Sequence, residues 1–375
     1  KENKARVIAF YLPQYHPIPE NDKYWGKGFT EWTNVAKAKP LFRGHYQPHI
    51  PADLGFYDLR LPEVREAQAE LARDAGIEGF CYYHYWFGNG KMLLQKPFEE
   101  VLRLGKPDFP FCLCWANHDW TTKTWVKGSS MVNNTMIAQQ EYLGEQDDIK
   151  HFEYCLRAFK DHRYITIEGK PIFLIYDPLS FPNVKEFMNR WNFLAKKNNL
   201  KGIYFIGVTT GRQSSYKIVT NLGFDGVCHN RRWEAEAKAA GFRFVRRMQS
   251  LLGWHLGISL MKYDYNKVVR NYDTPENKLE NCYPVITPGF DRTPRAGRRA
   301  GIYVNSSPKN FKKHVAEVCK SIQDKDDDHR LVFLSAWNEW GEGNYMEPDL
   351  KWGHGYLEAL KLSLIHISEP TRPRL

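Results

Sequence analysis

No apolar run in the 375-residue chain approaches the ~20 residues of a membrane-spanning helix, and no leader-like stretch opens it. No integral membrane segment is therefore expected. With no signal visible a cytoplasmic location is the first expectation; the chain starts at Lys1 rather than Met, and an extracytoplasmic location is the alternative if an upstream segment has been removed. There is no Gly-x-Ser-x-Gly elbow, no P-loop and no helix-spaced HExxH. These absences set aside the hydrolases, nucleotidases and zinc proteases that those motifs serve. No glycine-rich phosphate loop follows the first apolar run; Leu12-Pro-Gln-Tyr-His-Pro17 stands there instead. Zinc-finger spacing and RNA-binding aromatic motifs are also missing. The net charge is +10, yet the densest basic cluster (Arg231, Arg232, Lys238, Arg243, Arg246, Arg247) is interrupted by Glu234 and Glu236. It reads as a solvated face, and no nucleic-acid partner is expected. Cysteine is scarce and odd in number, seven in all, mostly within apolar runs. Cys112 and Cys114 alternate along one run and are too close for a CxxC knuckle. Buried reduced thiols fit this better than a disulfide framework. No cofactor is implied.

What the chain does have is aromatic surface, 15% of its residues, within a hydrophobic fraction of 42%. Strand-like apolar runs fall at residues 6–12, 77–84, 109–115, 171–176, 202–208, 224–228, 283–287 and 331–336. Helical spacing fills 62–75, 96–104, 145–161, 184–197, 308–322 and 355–362. Strands that are apolar on both faces and alternate with helices pair in parallel through right-handed crossovers. Eight such units predict an α/β fold of the (β/α)8 barrel type, with long loops and an insertion at about 230–267 after the sixth strand. A doubly wound open sheet is the alternative. One catalytic domain is expected over 1–362. The segment 363–375 ends in Ser368-Glu-Pro-Thr-Arg-Pro-Arg and reads as lying outside the fold.

In a barrel of this kind the active site forms at the carboxyl ends of the strands. That rim would gather Tyr11, Gln14 and His16 from the first strand, then Tyr83, His84 and Trp86 from the second. The third supplies Trp115, Asn117, His118, Asp119 and Trp120, the fourth Tyr176 and Asp177, and the seventh Asp291 and Arg292. The eighth supplies Trp337, Asn338, Glu339 and Glu342. His118-Asp119 is the nearest approach to a metal pair, and without a further ligand pattern no metal is expected.

The segment Ser335-Ala-Trp-Asn-Glu-Trp-Gly-Glu-Gly-Asn-Tyr-Met-Glu-Pro348 carries the sharpest signal. If the backbone turns helically beyond Ala336, Glu339 and Glu342 lie on one side with Cβ atoms roughly 5–6 Å apart. Retaining glycosidases hold their two carboxyls about 5–5.5 Å apart. Two acids this close divide their protonation, one ionised and one neutral. The competing reading is a helix N-terminus, where acids meet the macrodipole. The flanking Trp337, Asn338 and Trp340 favour a sugar site.

Several longer motifs share a resemblance: Ala9-Phe-Tyr-Leu-Pro-Gln-Tyr-His-Pro17, Trp25-Gly-Lys-Gly-Phe-Thr-Glu-Trp-Thr-Asn-Val35, His45-Tyr-Gln-Pro-His49, Cys81-Tyr-Tyr-His-Tyr-Trp86, Cys114-Trp-Ala-Asn-His118, Pro288-Gly-Phe-Asp-Arg-Thr-Pro-Arg295 and the segment 337–348. Over residues 5–361 the chain resembles the WbsX-like family associated with bacterial polysaccharide biosynthesis, itself related to glycoside hydrolase family 99, the endo-α-mannosidases. The resemblance implies that Glu339 is a base removing the proton of the sugar 2-hydroxyl, so that O2 attacks C1 and a 1,2-anhydro sugar forms. Glu342 would protonate the leaving oxygen and then activate water, with net retention. Gly341 stands where the mannosidases carry His, which leaves linkage and substrate open. The expected binding set is Tyr11, Trp32, Tyr83, His84, Trp115, Asn117, His118, Tyr176, Asp177, Asp291, Trp337, Asn338 and Trp340. The leading expectation is a retaining endo-acting hydrolase of α-mannoside-like or related bacterial polysaccharide. A biosynthetic glycosyltransferase is the alternative, with Arg292, Arg295 and Arg298 available to a donor diphosphate. A carbohydrate-binding protein without turnover is the third.

Overall fold

A computed structural model describes residues 5–122, 135–211, 213–240, 248, 251 and 261–366. Its frame is eight parallel strands: β1 (Arg6–Tyr11), β2 (Gly79–Trp86), β3 (Phe111–Trp115), β4 (Lys170–Ile175), β5 (Tyr204–Val208), β6 (Gly226–His229), β7 (Cys282–Ile286) and β8 (Leu331–Leu334). Each pairs with the next in chain order, and β8 returns to β1 with Arg6 opposite Leu331 and Ala9 opposite Leu334. β1 is also paired with β2, so the sheet is closed and the (β/α)8 barrel is the architecture. An open doubly wound sheet is thereby excluded.

The strands form where β-branched and aromatic residues cluster, and almost every strand residue is buried. The barrel interior takes rings such as Phe10 and Phe333, 5.5 Å apart, while Phe80 lies on the opposite face of the sheet against Tyr11 and Trp337. Helices cover the outside. Glu145–Phe159 shows the logic: its acids Glu145, Asp147 and Asp148 sit in the first turn, where the macrodipole favours them. Its buried stripe, His151, Phe152, Cys155 and Phe159, faces the barrel with helical spacing. Asp148 is ion-paired to Arg190 of the next helix, Val184–Lys197. All seven cysteines are buried and unbridged, so the expected thiol state holds.

Three regions add detail to the strand–helix alternation read from sequence, the helical part of the 230–267 insertion being one that was expected. The first long loop contains two short helices, Pro19–Trp25 and Glu31–Lys37. The second of these lies over the barrel rim and packs on the turn that follows β8. After β6, Arg232–Ala239 is helical, and Met261–Asp264 pairs in parallel with Gly301–Val304. The rest of the expected insertion, 241–247, 249–250 and 252–260, lies outside the described residues. The closing helix runs Gly355–His366, past the boundary drawn at 362, and Leu364 is buried. Residues 367–375 lie outside the described residues.

Candidate active site

Beyond β8 the chain enters a two-residue hairpin ladder, Asn338–Glu339 against Asn344–Tyr345. Its tip is one 3-10 turn, Trp340–Glu342, flanked by Glu339. Residues three apart eclipse in a 3-10 turn, so the anticipated helical turn is present in its tighter form and Glu339 and Glu342 share a side. The turn is anchored from below. The side-chain amide of Asn338 accepts from the Leu12 N–H at 2.8 Å and donates to the Leu12 carbonyl at 3.0 Å, tying the end of β8 to the end of β1. The Trp337 N–H donates to the Phe10 carbonyl. Trp340 Nε1 donates to buried Glu347 at 2.7 Å, and its ring stacks on Tyr345 at 3.7 Å. Glu347 also accepts from Gln68 and Tyr57.

The two acids share one guanidinium. Arg295 reaches Glu339 with Nη2 at 2.7 Å and Glu342 with Nη1 at 2.8 Å. Its Nε binds a third carboxylate, Glu31, at 2.7 Å. Glu31 is fully buried and comes from the rim helix Glu31–Lys37. Gly341 makes this possible: a Cβ there would meet Glu31 Oε1 at 1.8 Å and Arg295 Nε at 2.8 Å. Gly343, at φ +57°, is likewise required, because a Cβ would meet the Asp291 Cβ at 2.8 Å. That close approach lets the Asp291 N–H donate to the Glu342 carbonyl at 2.6 Å, joining the loops after β7 and β8.

The charges divide the pair. Burial raises the Glu339 pKa to about 7; Arg295 works against this, while the neighbouring Glu342 and Glu31 add to it. Burial pushes Glu342 up as well, but Arg295, Arg292 and Arg232 outweigh it and hold the group below the usual carboxylate range. Of the two acids Glu339 therefore takes up a proton first, as pH falls below about 7, while Glu342 stays ionised. This distribution is the reverse of the one the family resemblance implies for the two acids.

The acids open into a cleft of about 370 Å³ at the carboxyl ends of the strands. Tyr83, His118 and Tyr176 line it with them. Tyr83 stacks on Phe10 at 5.4 Å, and Tyr176 stands edge-on to Tyr83. Burial lifts the Tyr176 hydroxyl to about 12. The remaining expected binding residues do other things. Tyr11 lies in the core, donating to Gln68 at 2.6 Å. Trp32 is buried behind the turn, 5.4 Å from Trp340, with Nε1 on the Tyr57 carbonyl. His84 faces outward to His151, ring nitrogens 2.7 Å apart, and burial drives its pKa down to about 3. Trp115 bonds the Trp86 carbonyl and packs on His151. Asn117 clamps the ends of β3 and β4 through the Asp177 N–H and carbonyl, as Asn338 does for β1 and β8. Asp177 also accepts from Ser180. Asp291 lies on an adjoining cavity of about 350 Å³. Burial opposes its charge, but hydrogen bonds from His45, Thr293 and Gln47 hold its pKa low. Trp337, Asn338 and Trp340 support the turn from beneath.

Among the described residues no third metal-ligating side chain joins His118 and Asp119. Among the described residues the one group with metal-ligand spacing is His84, His151 and Cys155. It is a buried packing cluster whose two histidines are held neutral by burial.

Sequence reasoning passed over Glu31, Tyr85, Arg232, Trp233 and the central place of Arg295, whereas Trp120, anticipated at the rim, lines the cleft. Arg295 and Glu31 lie 264 positions apart, and only the fold joins them. A usable signal was present: both fall within motifs already singled out, Trp25–Val35 and Pro288–Arg295.

Solved structures with this architecture include the family 99 endo-α-mannosidase of Bacteroides thetaiotaomicron, at TM-score 0.55 and 15% identity, covering 96% of this chain and 97% of that one. A structure described as a glycoside hydrolase-like protein matches at TM-score 0.57 and 16% identity, with 96% and 94% covered. These likenesses establish the fold. The uncharacterized protein WxcX of Xanthomonas campestris pv. campestris strain B100 is 34% identical over 361 residues, 96% of this chain. The chain spans about half the length of that relative. The sequence profile of the WbsX glycosyltransferase family matches residues 7–360, and the chain belongs to that family.

Proposed function

We propose that the protein cleaves or transfers α-mannoside-like units of a bacterial polysaccharide with retention, and that hydrolysis is the reaction. The observation that carries this is the carboxyl pair Glu339 and Glu342, bridged by one guanidinium at 2.7 and 2.8 Å and facing an aromatic-walled cleft. A pair sharing one proton supplies an acid and a base together. In the route that the family implies, Glu339 takes the 2-hydroxyl proton while O2 bonds to C1 and the C1–leaving-group bond breaks. The leaving oxygen takes the Glu342 proton. Water, deprotonated by Glu342, then opens the anhydro ring, and O2 recovers its proton from Glu339. The free-site charge distribution supports a second reading in which the roles are exchanged, because three arginines keep Glu342 ionised.

The test is incubation with α-mannosyl oligosaccharides in the absence of any nucleotide sugar, alongside Glu339→Gln and Glu342→Gln. Cleavage lost in either variant supports hydrolysis. Turnover that appears only with a nucleotide-sugar donor overturns it in favour of the transfer that the family description names. Sugar binding that survives both substitutions without turnover favours a lectin-like role.

A further inference from the structure

The cleft holds two arginines that the carboxyl pair does not use up. Arg295 is spent on three carboxylates. Arg232 and Arg292 line the same cleft and donate no side-chain hydrogen bond to any described residue. The Nε atoms of both are shielded from solvent and have no acceptor among the described residues. Among the described residues their nearest carboxylates are loosely placed: Glu236 stands 3.4 Å from Arg232, which also feels the charge of Glu342, and Glu342 stands 3.5 Å from Arg292. Were their task only to keep Glu342 ionised, closer bonds to it would serve better. Instead the Arg232 guanidinium is held in place by rings, 4.3 Å from the Phe290 centroid and 4.7 Å from that of Trp233. A guanidinium fixed by aromatic faces keeps its planar fork of donors available. A shielded donor without an acceptor is unfavourable in the free protein, and an oxyanion is the acceptor that a guanidinium fork fits, with two parallel charge-assisted bonds.

We propose that Arg232 and Arg292 form an anion subsite beside Glu342, and that the saccharide bound there carries a negatively charged oxygen group. This deepens the reading of the cleft as a saccharide site and rests on it. Two sources share the chemistry: a carboxylate or phosphate on a sugar residue of the glycan, or the diphosphate of a nucleotide-linked sugar. Neutral mannan supplies neither.

The experiment is calorimetric titration of the protein with tetragalacturonate, mannotetraose and GDP, repeated with Arg232→Gln, Arg292→Gln and Glu342→Gln, each checked for folding by thermal melting. The subsite predicts that one anionic probe binds at least tenfold tighter than mannotetraose. It predicts that either arginine variant erases most of that preference, and that raising salt weakens it. Glu342→Gln removes the competing carboxylate and is expected to tighten anion binding. Tetragalacturonate as the preferred probe assigns the anion to the glycan, and GDP assigns it to a donor. Anion affinity no better than that of mannotetraose, or unchanged in both arginine variants, overturns the subsite. Because binding is read without turnover, a subsite that holds while cleavage fails sinks only the hydrolase reading. Cleavage of neutral mannoside together with no anion preference in the titrations sinks only the subsite.

Discussion

Glu31→Gln tests the electrostatic account most directly. Glu31 touches neither the cleft nor the reacting atoms; it acts through Arg295, 2.7 Å away. Its carboxylate is one of the groups that raise the Glu339 pKa to about 7. Two carboxylates bridged by one guanidinium stand on the order of 6 Å apart, where repulsion at an effective dielectric of ~20 is about 3 kcal/mol. Relaxation and screening reduce this to roughly half, or about one pH unit at 1.36 kcal/mol per unit. Glutamine keeps the shape and an acceptor for Arg295 Nε, and it frees Arg295 to favour Glu339. Both consequences lower the Glu339 pKa. The assay is the pH dependence of kcat/KM on an oligosaccharide the wild type turns over, with circular dichroism to confirm folding. If Glu339 works as the base, it must be ionised, and the acid limb of the profile moves down by about one unit. If it works as the acid, it must be protonated, and the alkaline limb moves down instead. The limb that shifts therefore reads out the role. A folded variant in which neither limb moves by more than a few tenths of a unit would refute the coupling among Glu31, Arg295 and Glu339.

Three further outcomes are expected. Asn338→Ala removes both bonds to Leu12 and leaves two buried backbone groups unpaired, a loss of roughly 2–4 kcal/mol in urea unfolding; an unchanged midpoint would contradict the clamp. Gly341→Ala drives a Cβ into the Glu31–Arg295 pair and is expected to destabilise by about 3–5 kcal/mol, while Glu31→Ala with Gly341→Ala recovers part of that loss; strict additivity in this double-mutant cycle would show that the two sites do not meet. Burial lowers the pKa values of His84 and His314 to about 3 and of His229 to about 4, so the unfolded chain binds more protons between roughly pH 4 and 6.5, and stability falls as pH drops through that window; His314→Gln should flatten the slope by up to about 1.4 kcal/mol per pH unit there, as read by urea titrations at pH 4.5 and 6.5.

The barrel was legible because its strands are continuous apolar runs. β3, Phe-Cys-Leu-Cys-Trp, and β8, Leu-Val-Phe-Leu, are buried at every position, and such runs need no long-range information to be recognised. The helices Lys96–Leu104 and Val184–Lys197 were anticipated to the residue, each with a periodic buried stripe. The short rim helix Glu31–Lys37 was not. It has seven residues, too few for a periodic signal, and its place depends on contacts with the turn after β8. The same limit applies to side-chain direction. A strand end alternates its residues between two faces, so Tyr83 reaches the cleft while its neighbour His84 turns outward to His151. Both were named as rim residues, and sequence spacing alone does not say which face is which. Asn117 and Asn338 stood out as polar groups at strand ends, and their hydrogen bonding ties adjacent strand ends together. Functional and structural asparagines look alike until their partners are known.

Gly341 gains its meaning only in three dimensions. In the sequence it is the position at which the segment around the two acids departs from the mannosidase form, which carries His there. In the structure no side chain fits, because the Glu31 carboxylate lies 1.8 Å from where a Cβ would be. A residue larger than glycine at 341 and a Glu31–Arg295 pair in this position therefore exclude one another. Arg295 in turn is the cation that joins Glu339 to Glu342. The missing side chain, the buried acid on the rim helix and the bridging arginine are thus three parts of one arrangement. Its charge is unlike that of an imidazole: a guanidinium stays cationic at every pH at which the protein folds, whereas an imidazole titrates near neutrality. A fixed cation beside both acids keeps one of them ionised without a pH-dependent partner. The protonation of the pair is then set by Glu31 on one side and by Arg232 and Arg292 on the other, so an anion arriving at those two arginines would weaken their hold on Glu342 and raise its affinity for a proton. Binding of a charged saccharide would in that way move the pair toward the protonation state in which Glu342 is the acid.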